Sequence, residues 1–188
     1  WIERFADLVR ERDAVVPFRC QMRADLMDRE TVAALRGAGC RTVWMGAESG
    51  SQKVLDLMDK DLRVEQIHQA GQLLREAGIE VCFFLQFGYP GEVWEDIRAT
   101  LRMVRQSRPD DIGISVSYPL PDTKFHERVQ KELGEKRNWT DSGDLAMLYR
   151  GTYAPAFYRQ LHRTTHRMFR AGRGLRRGSR PHPPTPSP

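Results

Sequence analysis

Apolar residues along this chain follow two alternating rhythms. Short β-prone runs bounded by glycine or proline alternate with longer stretches in which apolar positions recur every three or four residues. Ile2, Phe5, Leu8 and Val9 trace a helical face over Ile2 to Arg10. Val15 to Met22 reads as a strand with Pro17 near its start, and it ends in Arg23-Ala-Asp25. Asp28 suits the N-cap of a helix that carries Val32 and Leu35 and stops at Gly37 or Gly39. Thr42 to Met45 is a buried strand of about five residues between Gly39 and Gly46, with Glu48, Ser49 and Gly50 just beyond it. Helices follow over about Gln52 to Asp59 and Val64 to Ala77, the second stopped by Gly78.

Ile79 to Phe87 is the strongest strand signal. It breaks at Gly88-Tyr-Pro-Gly-Glu92 and leads into a helix carrying Trp94, Ile97, Leu101 and Val104. Pro109 closes that region, Asp111 to Tyr118 alternates as a strand, and Pro119 to Thr123 is rich in turn residues. Ala34-Leu-Arg-Gly-Ala-Gly39 and Leu73-Leu-Arg-Glu-Ala-Gly78 echo each other, each placing Ala-Gly at a helix end before a strand. Four strands separated by helices predict an α/β fold with right-handed crossovers and a parallel sheet. The sequence places Glu48, Ser49 and the Gly88 turn at carboxyl strand ends, where α/β folds bind ligands.

The pattern changes after about Glu132. Asn138 to Gly143 reads as a loop, Tyr149 to Tyr153 as an irregular stretch, and Ala156 to Arg170 as a helix. From Gly172 the chain is rich in Arg, Gly and Pro, a composition that predicts a disordered tail. The expected division is therefore 1–133, 134–171 and 172–188. No apolar run approaches the roughly 20 residues of a membrane span. The formal charge of +5 hides an asymmetry: residues 1–144 hold all 25 acids against 21 basic residues, while residues 145–188 carry nine arginines and no acid. Cys20, Cys40 and Cys82 have no CxxC or CxxxCxxC spacing and lie in or beside strands, as buried thiols of a reducing cytoplasm would.

Three strand ends taken together carry a resemblance: Arg23-Ala-Asp25, Gly46-Ala-Glu-Ser-Gly-Ser-Gln52 and Phe87-Gly-Tyr-Pro-Gly-Glu92. Over roughly residues 1–133 the chain resembles the later half of a radical S-adenosylmethionine (radical SAM) barrel. The subgroup it most resembles has a cobalamin-binding domain and includes methyltransferases and tetrapyrrole-type ring cyclases. The resemblance implies a parallel partial (β/α) barrel of about four βα units, followed by a C-terminal helical segment and the tail. It also implies S-adenosylmethionine and a four-iron–four-sulfur cluster as cofactors, possible use of cobalamin, and a small-molecule substrate. The family's cluster loop, CxxxCxxC, is absent from these 188 residues. A chain opening on Trp1 inside an amphipathic helix is expected to be a fragment whose N-terminal half supplies that loop, and to be inactive alone.

The resemblance assigns Glu48 and Ser49 to the ribose or methionine end of the cofactor, and Ser49 or Ser51 also suits a helix cap. Gly88, Pro90, Gly91 and Glu92 match the turn beneath the adenine. For Glu92 the plainer reading is a carboxylate near a helix N-terminus. Arg23 either meets the cofactor carboxylate as a bidentate donor or pairs with Asp25 or Glu48. Gln86 is expected inside the barrel, and the segment from Ser117 and Tyr118 to Pro121 is expected to line the adenine or substrate side. His162 and His166, four apart on a helix, read as a surface pair rather than metal ligands. Trp139, Tyr149, Tyr153, Phe157 and Tyr158 either cover the barrel's open side or simply pack. A binding module using the basic C-terminal segment on nucleic acid or an anionic surface is the alternative, although nucleic acid is not the expected partner.

Overall fold

The computed structural model describes residues 1–133, 145 and 147–177. Four parallel strands, β1 (Phe18–Met22), β2 (Cys40–Glu48), β3 (Glu80–Phe87) and β4 (Asp111–Val116), form one sheet in chain order. Among the described residues seven α-helices surround or follow them, besides a short 3-10 turn at Ala24–Leu26: α1 (Ile2–Glu11), α2 (Arg29–Gly37), α3 (Gln52–Leu57), α4 (Val64–Glu76), α5 (Trp94–Ser107), α6 (Lys124–Leu133) and α7 (Pro155–Arg177). The strand order and the helical crossovers are those of consecutive βα units.

Most boundaries agree with the hydrophobic pattern, and the differences have local causes. β1 begins at Phe18, not Val15, because Val15 and Val16 are exposed and pairing with β2 starts only at Phe18. β2 is nearly twice its expected length and runs through Glu48, with an irregularity between Gly46 and Glu48. β4 stops at Val116, two residues short of Tyr118. α3 ends at Leu57 rather than Asp59, which takes a positive φ of 57°. α6 has no counterpart in the hydrophobic pattern. α7 continues through Arg177, across the expected start of the tail at Gly172. The Asn138–Gly143 loop, Trp139 and the rest of the tail lie outside the described residues.

The core sits on one side of the sheet. Val43, Met45 and Ala47 of β2 and Val81, Phe83, Leu85 and Phe87 of β3 pack with Ile67 and Leu74 of α4 and Ile97 of α5. This burial of aliphatic and aromatic surface is the main driving force for the fold. The opposite, open face carries alternate residues: Trp44 and Phe84 stack there with ring centroids 4.7 Å apart, and Gln86 follows Phe84 toward the carboxyl end. Asp28 caps α2 as expected, accepting the Thr31 N–H at 2.7 Å. Among the described residues no helix is long and apolar enough to cross a membrane.

Candidate functional site

The carboxyl end of β2 is bent so that it delivers a carboxylate. Glu48 pairs with Leu85 after the irregularity at Ala47, and its φ of 55° puts a non-glycine residue in the left-handed region. Such backbone costs free energy and persists where the surroundings enforce it. The side chain folds back over Gly46, where any Cβ would come within 2.7 Å of Glu48 Oε1. Glu48 is only 8% exposed. Oε1 accepts from Lys60 Nζ at 3.1 Å, while Oε2 is buried with no hydrogen-bond partner among the described residues. A buried carboxylate oxygen without a donor is costly, so this atom is poised to accept from a ligand.

Ser49 belongs to the support beneath Glu48. Its hydroxyl accepts from the Ser51 N–H and lies 3.1 Å from Thr100 Oγ1. Thr100 donates to the Asp96 carbonyl, so the shared proton between the two hydroxyls comes from Ser49. Gly50 completes the junction: its N–H donates to Thr100 Oγ1, and a Cβ there would lie 2.5 Å from the Ala99 carbonyl oxygen. Ser51 occupies the N-cap of α3 but makes no cap hydrogen bond; its hydroxyl donates instead to Asp96 Oδ1 at 2.7 Å. The expected serine cap is thus replaced by an anchor onto α5. Asp96 also accepts from Lys53 and from the Val93 N–H. Burial pushes its carboxyl up, but these donors prevail and hold it below the usual range.

The Gly88–Glu92 turn is fixed from two sides. Gly88 and Gly91 take positive φ, as the turn reading expects. Glu92 does not serve the helix N-terminus; Asp96 fills that role by accepting from Val93 N–H. The Glu92 side chain is fully buried and accepts the Gly88 N–H at 2.6 Å through Oε2, while Oε1 has no partner among the described residues. Burial raises its carboxyl to about 7 against the pull of the Gly88 N–H. From the C-terminal segment, Tyr149 donates to the Gly88 carbonyl and Thr152 to the Glu92 carbonyl. Phe125 lies between Tyr89 and Tyr149, with centroids 4.6 and 5.2 Å away. These aromatics therefore clamp the turn.

A cleft of about 580 Å³ opens at these strand ends, lined by Lys60, Gln86, Tyr89, Tyr118, Lys124 and Arg128 among others. It brings together Gln86 and Tyr118 from the sequence reading with Lys60, the partner of Glu48. Arg23 stands at its margin: it holds Asp25 through two hydrogen bonds of 2.9 and 3.0 Å and reaches the Lys60 carbonyl at 3.4 Å. Ser117 is buried behind the opening, its N–H on the Phe87 carbonyl. Pro90 serves the turn rather than the cleft lining.

Sequence reasoning missed Lys60, Asp96 and Thr100, and it named Tyr149 only as an aromatic that covers the open side or packs, not as the donor to Gly88. Asp96 and Thr100 had a usable signal, being polar residues four apart on the helix face that carries Ile97. His162 and His166 are half-buried rather than fully on the surface, with rings 4.5 Å apart. Burial, then His162 and Arg170, hold His166 below its usual range, and no group of three metal-ligating side chains occurs among the described residues. The cysteines do not fit an iron–sulfur cluster. Cys20 and Cys40 face each other at 3.9 Å across β1 and β2, while Cys82 lies on β3. The Cys20 contact and burial raise the Cys40 thiol, and burial raises Cys82 to about 12.

The family model described as the radical SAM superfamily matches residues 2–104. A putative methylthiotransferase of Methanocaldococcus jannaschii is 28% identical over 128 residues, 68% of this chain and 28% of its own length. The anaerobic magnesium-protoporphyrin IX monomethyl ester cyclase of Rubrivivax gelatinosus is 32% identical over 111 residues, 59% of this chain and 19% of its own. The radical S-adenosylmethionine methyltransferase TsrM from Kitasatospora setae, solved with cobalamin and a four-iron–four-sulfur cluster bound, superposes with a TM-score of 0.60. It is 20% identical and aligns with 84% of this chain and 33% of its own, a likeness of fold. The chain thus spans about a third or less of the proteins it matches.

Proposed function

The chain belongs to the radical SAM superfamily, and from that premise we propose that it forms the part of a cobalamin-type radical SAM barrel that grips the cofactor and faces the substrate. The whole enzyme would carry out radical-initiated methyl transfer or ring formation on a small organic molecule. The relatives' names and the fold likeness to TsrM support this class of reaction. When bound, S-adenosylmethionine and its reducing cluster supply the radical; cluster ligands come from outside these 188 residues, since its cysteines do not fit one. The free thiols of Cys20 and Cys40, 3.9 Å apart, support a reducing, cytoplasmic setting.

The observation that carries the proposal is Glu48. Its Oε2, without a partner among the described residues, fits the hydroxyls of a ribose or an ammonium, both donors, while Lys60 holds the carboxylate in place through Oε1. Lys60 also presents a cation to the ligand's own carboxylate. Gly88 to Glu92 offers a shaped backbone edge for the adenine, and Gln86 and Tyr118 face the space where substrate would enter. Ser49 acts through the Thr100–Asp96 network to hold Glu48 in place.

Equilibrium dialysis of S-adenosylmethionine against the cluster-loaded enzyme and its Glu48→Gln variant tests this. A charge-assisted hydrogen bond is worth about 1.5–3 kcal/mol, so affinity should fall roughly 10- to 150-fold with iron content unchanged. Equal affinity would remove Glu48 from the site.

A further inference from the structure

α7 carries a feature that cofactor binding does not use. Tyr158, Leu161, Thr165 and Phe169 turn its apolar side into the protein. On the other side Arg159, Arg163, Arg167 and Arg170 recur every three or four residues, so they share one face of the helix. All four are exposed. Arg173 extends the same line, and no acid occurs on this helix. Among the described residues none of these five guanidiniums has an ion-pair partner.

The line runs into a second cleft. Arg173 lines an opening of about 990 Å³ together with Arg75, Arg105 and Arg108, at the amino ends of β3 and β4. Two acids lie there, and both are engaged: Glu80 accepts from Thr42, and Asp110 from the Val81 N–H. Arg75 is held in place by the Ser107 carbonyl. At a rise of 1.5 Å per residue, the arginines of α7 cover roughly 21 Å from Arg159 to Arg173. The result is a continuous cationic track on a protein whose first 144 residues carry more acids than bases.

We propose that this track docks a nucleic-acid strand through its phosphates. A linear row of guanidiniums suits a linear polyanion, because each can fork onto phosphate oxygens. A lipid surface fits less well: membrane-lying helices present apolar side chains to the bilayer, whereas this helix buries its apolar side and, among its described side chains, exposes only Met168 as a large apolar residue. The track lies at the opposite strand ends from Glu48 and does not depend on the cofactor reading.

The test is fluorescence anisotropy of a labelled single strand of about 20 nucleotides, as RNA and as DNA, titrated with the protein at several salt concentrations. Contacts to about five phosphates give a slope of log affinity against log salt near −3.5. Arg163→Glu with Arg167→Glu should weaken binding by about tenfold or more and flatten the slope by about 1.4. Arg4→Glu with Arg12→Glu, exposed on and just after α1, beyond the β1 edge of the sheet and away from α7 at the β4 edge, makes the same charge change off the track and should leave binding within about twofold. Circular dichroism establishes that both pairs stay folded. The proposal is overturned by no binding of either strand at about 50 mM salt, by equal losses in both pairs, or by binding to phosphatidylserine vesicles but to neither strand. A preference between RNA and DNA identifies which nucleic acid the track takes.

Discussion

The Tyr149 phenol donates a 2.6 Å buried hydrogen bond to the carbonyl of Gly88, 61 residues earlier in the chain. That bond ties the segment after α6 to the Gly88–Glu92 turn of the candidate site. Burial, first of all, keeps the phenol protonated and able to donate well above neutral pH. Tyr149→Phe leaves the ring packed between its neighbours and strands the Gly88 carbonyl. A loss of about 1–3 kcal/mol is expected in urea unfolding, with faster amide exchange over Gly88–Glu92. A change in stability without faster exchange there would show that the bond does not hold the turn.

Glu92 predicts a pH dependence. Its carboxyl titrates near 7 in the fold against an ordinary value of 4.5, so the folded chain holds a proton that the unfolded chain releases. Stability from this group is full below about pH 4.5 and declines as pH rises through 7, by about 3 kcal/mol in all. In Glu92→Gln that decline between pH 5 and 8 should disappear, so the variant melts above the wild type at pH 8. Thermal scans at closely spaced pH values measure this directly.

Asp96 joins Ser51, Lys53 and Val93, whereas Asp28 caps a single exposed helix end. Asp96→Ala should therefore cost about 2–4 kcal/mol through stranded buried donors, against about 1 kcal/mol for Asp28→Ala. Denaturation midpoints of the two variants at neutral pH decide it. Equal losses would mean that the Glu48 turn does not depend on its anchor to α5.

The cysteines should differ in reactivity. Cys20 is half-buried and its pKa is lowered by the Cys40 thiol, while Cys40 and Cys82 are buried with raised values. Brief alkylation of the native protein should label Cys20 first, as peptide mass mapping would report. Anaerobic iron and sulfide reconstitution of this chain should yield no stoichiometric cluster; a cubane absorbance would contradict the reading of its cysteines.

The parallel α/β order is legible in the local pattern, because β-prone runs such as Thr42 to Met45 and Ile79 to Phe87 differ in period from the helical stretches between them. That pattern also places Glu48 and the Gly88 turn at strand ends, since Gly46, Gly78 and Gly88 punctuate those runs. Boundaries that depend on a neighbour were not legible. Val15 and Val16 look like strand residues, yet they lie ahead of the first residue that β2 pairs with. α6 is not legible in the pattern because it packs in a small separate cluster with Leu148 and Tyr149, contacts the local pattern cannot supply.

The contacts of the site residues follow from packing between distant segments. Ser49 could equally meet a ligand or cap a helix until Thr100, 51 residues away, claimed its hydroxyl. Glu92 moved from a helix end to a buried staple because Gly88 N–H, Thr152 and Tyr149 close around its turn. Lys60 gained meaning only when the loop after α3 set it against Glu48. Periodicity encodes which face of an element is apolar, and that information is local. Pairing a carboxylate with its cation, or leaving one oxygen unpartnered, depends on long-range packing that no short stretch of sequence specifies.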